Sequence, residues 1–129
     1  MRFLEKYADH AYAVLRIAAG VMFAFHGAQK LFGVLGGHQQ ALFSQMWFAG
    51  IIELFGGLAV ALGLATGIAA FICSGEMAVA YFQVHWKMQM TAERFFPIMN
   101  AGELALLYCF LFLYISTRGT VKWGLMKRG

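Results

Sequence analysis

The chain alternates long apolar runs with short polar breaks, and the runs are too long for the core of a small soluble domain. Residues 47–64 read WFAGIIELFGGLAVALGL, with one carboxylate, Glu53, inside the run and Gly56-Gly57 just beyond it. Similar runs at about 11–32, 68–86 and 98–117 predict three further helices. Each run is about 18–22 residues, near the roughly 20 that span about 30 Å of hydrocarbon. The pattern predicts an all-α fold: a polytopic membrane four-helix bundle forming one domain over residues 1–129.

The breaks support this division. An amphipathic stretch, 3–10, precedes the first run, and 33–46, GVLGGHQQALFSQM, carries no Lys, Arg, Asp or Glu. Ala65-Thr66-Gly67 predicts a tight turn between the second and third runs. Residues 87–96 form the most polar loop, and Pro97 stands where a first helical turn tolerates it. Ala49-Gly50-Ile51-Ile52-Glu53-Leu54 is echoed by Ala101-Gly102-Glu103-Leu104, which raises the prospect of two related hairpins.

Each run carries polar residues that hydrocarbon penalises, at about 2.5–3.5 kcal/mol for a charge at mid-helix on insertion scales. Such groups are expected to face protein or water. At 100° per residue, Arg16, Gly20, His26, Gly27 and Lys30 share an arc of roughly 120°. The polar groups of the first run therefore lie beside glycines that admit a close neighbour. Glu53 lies among Gly50, Gly56 and Gly57, Glu76 and Gln83 nearly eclipse each other, and Asn100 and Glu103 fall one turn apart. A rise of 1.5 Å per residue puts His26, Glu53 and Glu103 roughly 7–11 Å inside the outer boundary, with Lys30 nearer the surface. Arg16 falls roughly 8 Å from the inner boundary and Glu76 near the midplane. The expected pairings are Lys30 or His26 with Glu53 and Glu103, and Arg16 with Glu76.

Two readings of this set stay open. The polar residues either fix helix register, or they form a site that binds a polar head group, relays protons, or both. In the second reading a buried Glu53 or Glu103 accepts a proton, and His26 donates to a quinone carbonyl. His38 and His85 are expected at the interfaces without a role. No two histidines stand at i, i+3 or i, i+4, and no Cys accompanies them, so no metal site is expected. Cys73 and Cys109 lie in apolar runs at similar depth without a CxxC spacing, and are read as small buried hydrophobes. No CxxCH, Walker or nucleophile motif appears, so no covalent cofactor is expected.

Composition and charge sharpen the class. The chain is 61% hydrophobic and 12% charged, about half the roughly 25% charge of soluble domains. The net charge of +4 does not point to nucleic acid, because the basic residues flank the apolar runs. Arg2 and Lys6 precede the first run, and Arg118, Lys122, Lys127 and Arg128 follow the last. That bias predicts both termini in the cytoplasm. Tyr7, Tyr12, Trp47, Trp86, Tyr114 and Trp123 fall near the expected interfaces as an aromatic belt. The N-terminal residues are polar with no A-x-A site after the first run, so no cleavable signal is expected.

Arg16-x3-Gly20, Phe25-His26-Gly27-x2-Lys30-Leu31-Phe32-Gly33, Ala49-Gly50-x2-Glu53-Leu54-x-Gly56-Gly57 and Leu62-Gly63-x2-Thr66 resemble the DoxX family of small membrane proteins. Glu76-Met77 and Pro97-x2-Asn100-x-Gly102-Glu103 continue the pattern over nearly the whole chain. The tail, Gly119-Thr120-Val121-Lys122-Trp123-Gly124, departs from the Gly-x-Gly-x-W-S common in that family. The resemblance implies a four-helix protein of the bacterial or archaeal plasma (inner) membrane. Relatives are similar to a subunit of a thiosulfate:quinone oxidoreductase, or are linked to thiol-redox stress and quinone resistance.

The resulting expectation is a membrane redox component binding a quinone-like molecule. Arg16, His26, Lys30, Glu53, Glu76, Asn100 and Glu103 are the candidate binding or proton-handling residues. A redox partner protein or a second copy of the chain would complete it, a dimer being favoured by glycine faces on the second and third runs. The alternative is a non-catalytic membrane partner or assembly subunit with a structural polar core. A small-solute or proton transporter is a third reading.

Overall fold

A computed structural model describes residues 1–127; Arg128, counted above in the basic flank, lies outside them. Four long helices dominate, and no strand occurs among the described residues. Helix α1 is Ala8–Phe32, α2 is Gln45–Leu62 and α3 is Thr66–Trp86. Helix α4 is Glu103–Arg118. Single helical turns at Arg2–Glu5, Ala92–Phe95 and Pro97–Asn100 fill the lead-in and the last loop.

Local chemistry sets the boundaries. Helix α1 stops at Gly33, whose φ of 67° is the left-handed conformation that caps helix C-termini, and its N–H closes on the Gln29 carbonyl. Helix α2 begins at Ser44, whose hydroxyl accepts a hydrogen bond from the Trp47 N–H at 3.2 Å. Two stretches wind more widely as π-helix, Ile52–Gly56 within α2 and Tyr81–Trp86 at the end of α3. Helix α2 ends at Leu62, two residues short of the predicted end, because Gly63 turns left-handed. Helix α1 begins three residues earlier than predicted.

The fourth run differs most from its prediction. A continuous helix over 98–117 is interrupted at Ala101, which adopts a positive φ of 61°. The cause is Asn100, whose Oδ1 accepts from the Gly102 N–H at 2.8 Å and thereby competes with helical pairing. Asn100 and Glu103 are thus not one turn apart on one helix. Three helices, α1, α2 and α3, are long and apolar enough to cross a membrane; α4, at 16 residues, is shorter.

Packing follows two pairs, α1 on α2 and α3 on α4. The first pair closes through glycine: a Cβ at Gly57 would stand 2.6 Å from the Gly20 carbonyl and from the Ala24 nitrogen. Gly27 is likewise pressed on the backbone of Leu54, and Gly50 on the side chains of Lys30 and Leu31. These α2 glycines are taken up inside the chain. Between the pairs lies an aromatic core in which the Phe23 ring meets Phe112 at 4.7 Å and Tyr108 at 5.2 Å. Outward faces carry Phe55, Ile68, Phe71, Leu107 and Phe110, all exposed. Such a surface would drive aggregation in water and is the natural surface toward hydrocarbon.

Candidate functional site

The two ends of the bundle treat their charges differently. At the end bearing the termini, Arg16 is wholly buried and bonds only to backbone. Its Nη1 donates to the carbonyls of Val60 and Ala61, and its Nη2 to those of Lys122 (2.6 Å) and Trp123 (3.0 Å). The carbonyls at the end of α2 carry the negative end of its dipole. The expected Arg16–Glu76 pair is therefore not formed; backbone carbonyls take up both terminal nitrogens, and Nε alone has no partner among the described residues. The same bonds hold the tail against the bundle. Leu125 and Met126 donate N–H bonds to Leu62 and Gly63, and the Thr66 and Thr120 hydroxyls share a bond of 2.9 Å.

At the opposite end Lys30 and Glu53 face each other across the α1–α2 seam. The Lys30 Nζ donates to Glu53 Oε1 at 2.9 Å and lies 2.8 Å from Oε2. The second contact is outside hydrogen-bonding direction, so Oε2 is ion-paired to Lys30 but makes no directed hydrogen bond. Glu53 is 2% exposed and stands in the π-helical part of α2, a distortion common at functional sites. Beside this pair opens a cavity of about 790 Å³ reached by all four helices. His26, Lys30, Glu53, Glu76 and Tyr108 line it, with Phe23 among its apolar walls.

Glu76 and Tyr108 complete the polar end. Neither Glu76 Oε2 nor the Tyr108 hydroxyl has a hydrogen-bond partner among the described residues, although both atoms are buried. The His26 ring meets Tyr108 edge-on at 6.3 Å. Buried polar atoms are nearly always paired, so three unsatisfied ones, Glu53 Oε2, Glu76 Oε2 and Tyr108 OH, around one cavity are unusual. The arrangement offers two carboxylates, one ammonium, an imidazole and a phenol to a molecule with a polar head and an apolar body.

The structure brings together four of the seven residues singled out from the sequence: His26, Lys30, Glu53 and Glu76. Arg16 is at the other end. Glu103 is exposed at the first turn of α4, where a carboxylate is favoured by the helix dipole; its expected pairing with Lys30 or His26 is not formed. Asn100 is buried but fully employed, donating to the Arg94 carbonyl at 2.7 Å and to Tyr81 OH while it caps Gly102. The Glu53 and Glu103 echoes are not equivalent, since one lies within a helix and the other begins one. His85 touches the Asn100 carbonyl and reaches the cavity wall; His38 is exposed. Cys73 and Cys109 are free thiols. Tyr108 was not among the expected residues, because a tyrosine within an apolar run reads as core.

Long apolar helices with lipid-suited outer faces and an inward polar cluster define a multi-pass membrane protein. Within that class the chain belongs to the DoxX family, a family of small membrane proteins, whose model matches residues 11–86. It is also similar to an uncharacterized protein of Haemophilus influenzae, 44% identical over 123 residues, spanning 92% of this chain and 90% of that one. No solved structure matches the chain.

Proposed function

We propose that this protein binds a quinone-like small molecule in the cavity beside Lys30 and Glu53, as the membrane-embedded component of a redox system. The observation that supports the reading is that Glu53, Glu76 and Tyr108, each with a buried polar atom that makes no hydrogen bond among the described residues, all line one mostly apolar cavity. At about 790 Å³ it falls within the roughly 300–1,000 Å³ usual for small-molecule sites. A quinone, when bound, supplies two-electron redox chemistry. The chain's own part is to place Tyr108 and His26 as hydrogen-bond donors, hold Glu53 by Lys30, and offer Glu76 as a proton-exchanging group. In this reading α4 serves as a fourth, short span. Both termini then lie in the cytoplasm of a bacterial or archaeal plasma membrane, as the basic flanks favour.

The test is titration of the detergent-purified protein with ubiquinone or menaquinone, alongside extraction of co-purifying lipids. Saturable one-to-one binding that weakens at least tenfold in Glu76→Gln supports the reading; no saturable binding overturns it. The Lys30–Glu53 pair itself favours a second reading, a non-catalytic membrane partner or assembly subunit, because that pair locks α1 to α2 without any ligand. In that case Lys30→Met with Glu53→Gln keeps both fold and partner association.

A further inference from the structure

The cavity is not closed on all sides. Helix α3 packs mainly on the later part of α2, from Ile52 to Leu62, and parts from the earlier part, Gln45–Ile51. The gap has two ends. At one, Gly56 meets Cys73 so closely that an added Cβ would stand 2.6 Å from its sulfur. At the other, the Gln45 amide donates to Gln83 Oε1 at 2.6 Å across the opening.

Between these two bridges the cavity wall consists of side chains that also face outward. Met46, Ile72 and Val79 line the cavity and are 40%, 50% and 48% exposed. Gly75 lines the cavity from the α3 side, two residues beyond Cys73. It differs from the other helical glycines: a Cβ there would meet nothing within 4 Å. Glycine within a helix is destabilising relative to alanine. At Gly20, Gly27 and Gly57 a close helix contact accounts for it, whereas at Gly75 the only local consequence is a wider gap.

We infer that this gap is a window to the bilayer, through which the hydrocarbon tail of an amphiphile passes while its polar head lies against Glu53, Glu76 and Tyr108. The proposal rests on the reading of the cavity as a ligand site and adds the route and the ligand class: a single polar head on a flexible apolar tail that stays in lipid. Apart from the Gln45–Gln83 bridge at one end, the rim residues Met46, Ile72 and Val79 are apolar and belong to α2 and α3, both long enough to span a membrane, so the window opens onto acyl chains. The tail exchanges one hydrocarbon environment for another, and the head replaces lost solvation with the unpartnered polar atoms inside. A ligand arriving from water would instead have to pass the loops.

The experiment measures equilibrium binding of ubiquinone-0, a head without a tail, and ubiquinone-2, which carries two isoprenoid units, to protein in phosphatidylcholine nanodiscs, with concentrations referred to the lipid phase. The wild type is expected to bind ubiquinone-2 at least tenfold more tightly. Gly75→Phe fills the window and is expected to abolish that advantage while leaving ubiquinone-0 within about twofold. Val79→Trp fills the same opening from an exposed position and serves if Gly75→Phe does not fold. Unchanged ubiquinone-2 binding in a folded window variant, or no tail advantage in the wild type, overturns the window while leaving the cavity as a site. Absence of binding by both probes to the wild type overturns the site and the window together.

Discussion

Arg16 and Glu53 are both charged groups almost fully removed from solvent, on helices that pack against each other, yet their surroundings are opposites. Four carbonyls converge on the Arg16 guanidinium, and only its Nε lacks a partner among the described residues. Glu53 is held by one ammonium alone and lines a cavity together with Glu76 and Tyr108, each of which has a buried polar atom without a partner among the described residues. Burial alone therefore does not distinguish a structural charge from a site. What differs is what surrounds the unpaired atoms: Arg16 keeps four carbonyl bonds and only its Nε lacks a partner, whereas Glu53, Glu76 and Tyr108, each with a buried polar atom lacking a hydrogen bond, all line one cavity.

Substitutions should separate the two ends. The largest effect is expected for Arg16→Met, which strands the carbonyls of Val60, Ala61, Lys122 and Trp123 and frees the tail. A loss of about 3–5 kcal/mol is expected, the range for breaking a buried charged network, read as a drop in melting temperature in detergent and as new protease cleavage near residue 120. Next comes Lys30→Met, which leaves the Glu53 carboxylate buried without its cation and should cost about 3 kcal/mol. Adding Glu53→Gln should restore most of that loss, a coupling that a double-mutant cycle measures directly. If the double variant is as unstable as the single, the pair is not the source of the cost.

Smaller effects are expected where hydrogen bonding is already incomplete. Glu76→Gln should change stability by less than about 1 kcal/mol, since no bond at Oε2 is lost, while ligand affinity falls. Tyr108→Phe should be neutral or slightly stabilising, because it removes a buried hydroxyl that has no partner. A large loss of stability in either variant would place these side chains with Arg16 as structural groups. Thermal unfolding of all four single variants in one detergent, ranked against one another, tests the comparison as a whole.

Much of the architecture could be read from the pattern of apolar runs, since length and hydropathy alone define membrane-scale helices. The α1–α2 seam was legible too, because His26, Gly27 and Lys30 share a helical face with the glycines that admit α2. The failures have local causes. Depth along an ideal helix placed Glu103 beside Glu53, but Asn100 breaks the helix at Ala101 and turns Glu103 outward. Opposite charge suggested Arg16 with Glu76, yet carbonyls are invisible in a residue string, and they took up both terminal nitrogens of Arg16. The π-helical turns at Ile52–Gly56 and the role of Tyr108 left no signal, since both depend on neighbours distant in sequence. The tail looked doubtful from its departure from the family pattern. In the structure it is gripped through main-chain atoms, with Gly124 packed on Gly63.

The grip of Arg16 on the tail also has a consequence for biosynthesis. Arg16 belongs to the first long helix to leave the ribosome, whereas the carbonyls of Lys122 and Trp123 that complete its shell are 106 and 107 residues further on. Until those residues are made, two of its four hydrogen bonds cannot form. Residues 122 and 123 therefore close the Arg16 shell only after all four long helices have been made, and chains shortened before residue 119 are expected to be inserted but to be more readily degraded by membrane quality-control proteases, as a pulse-chase measurement would show.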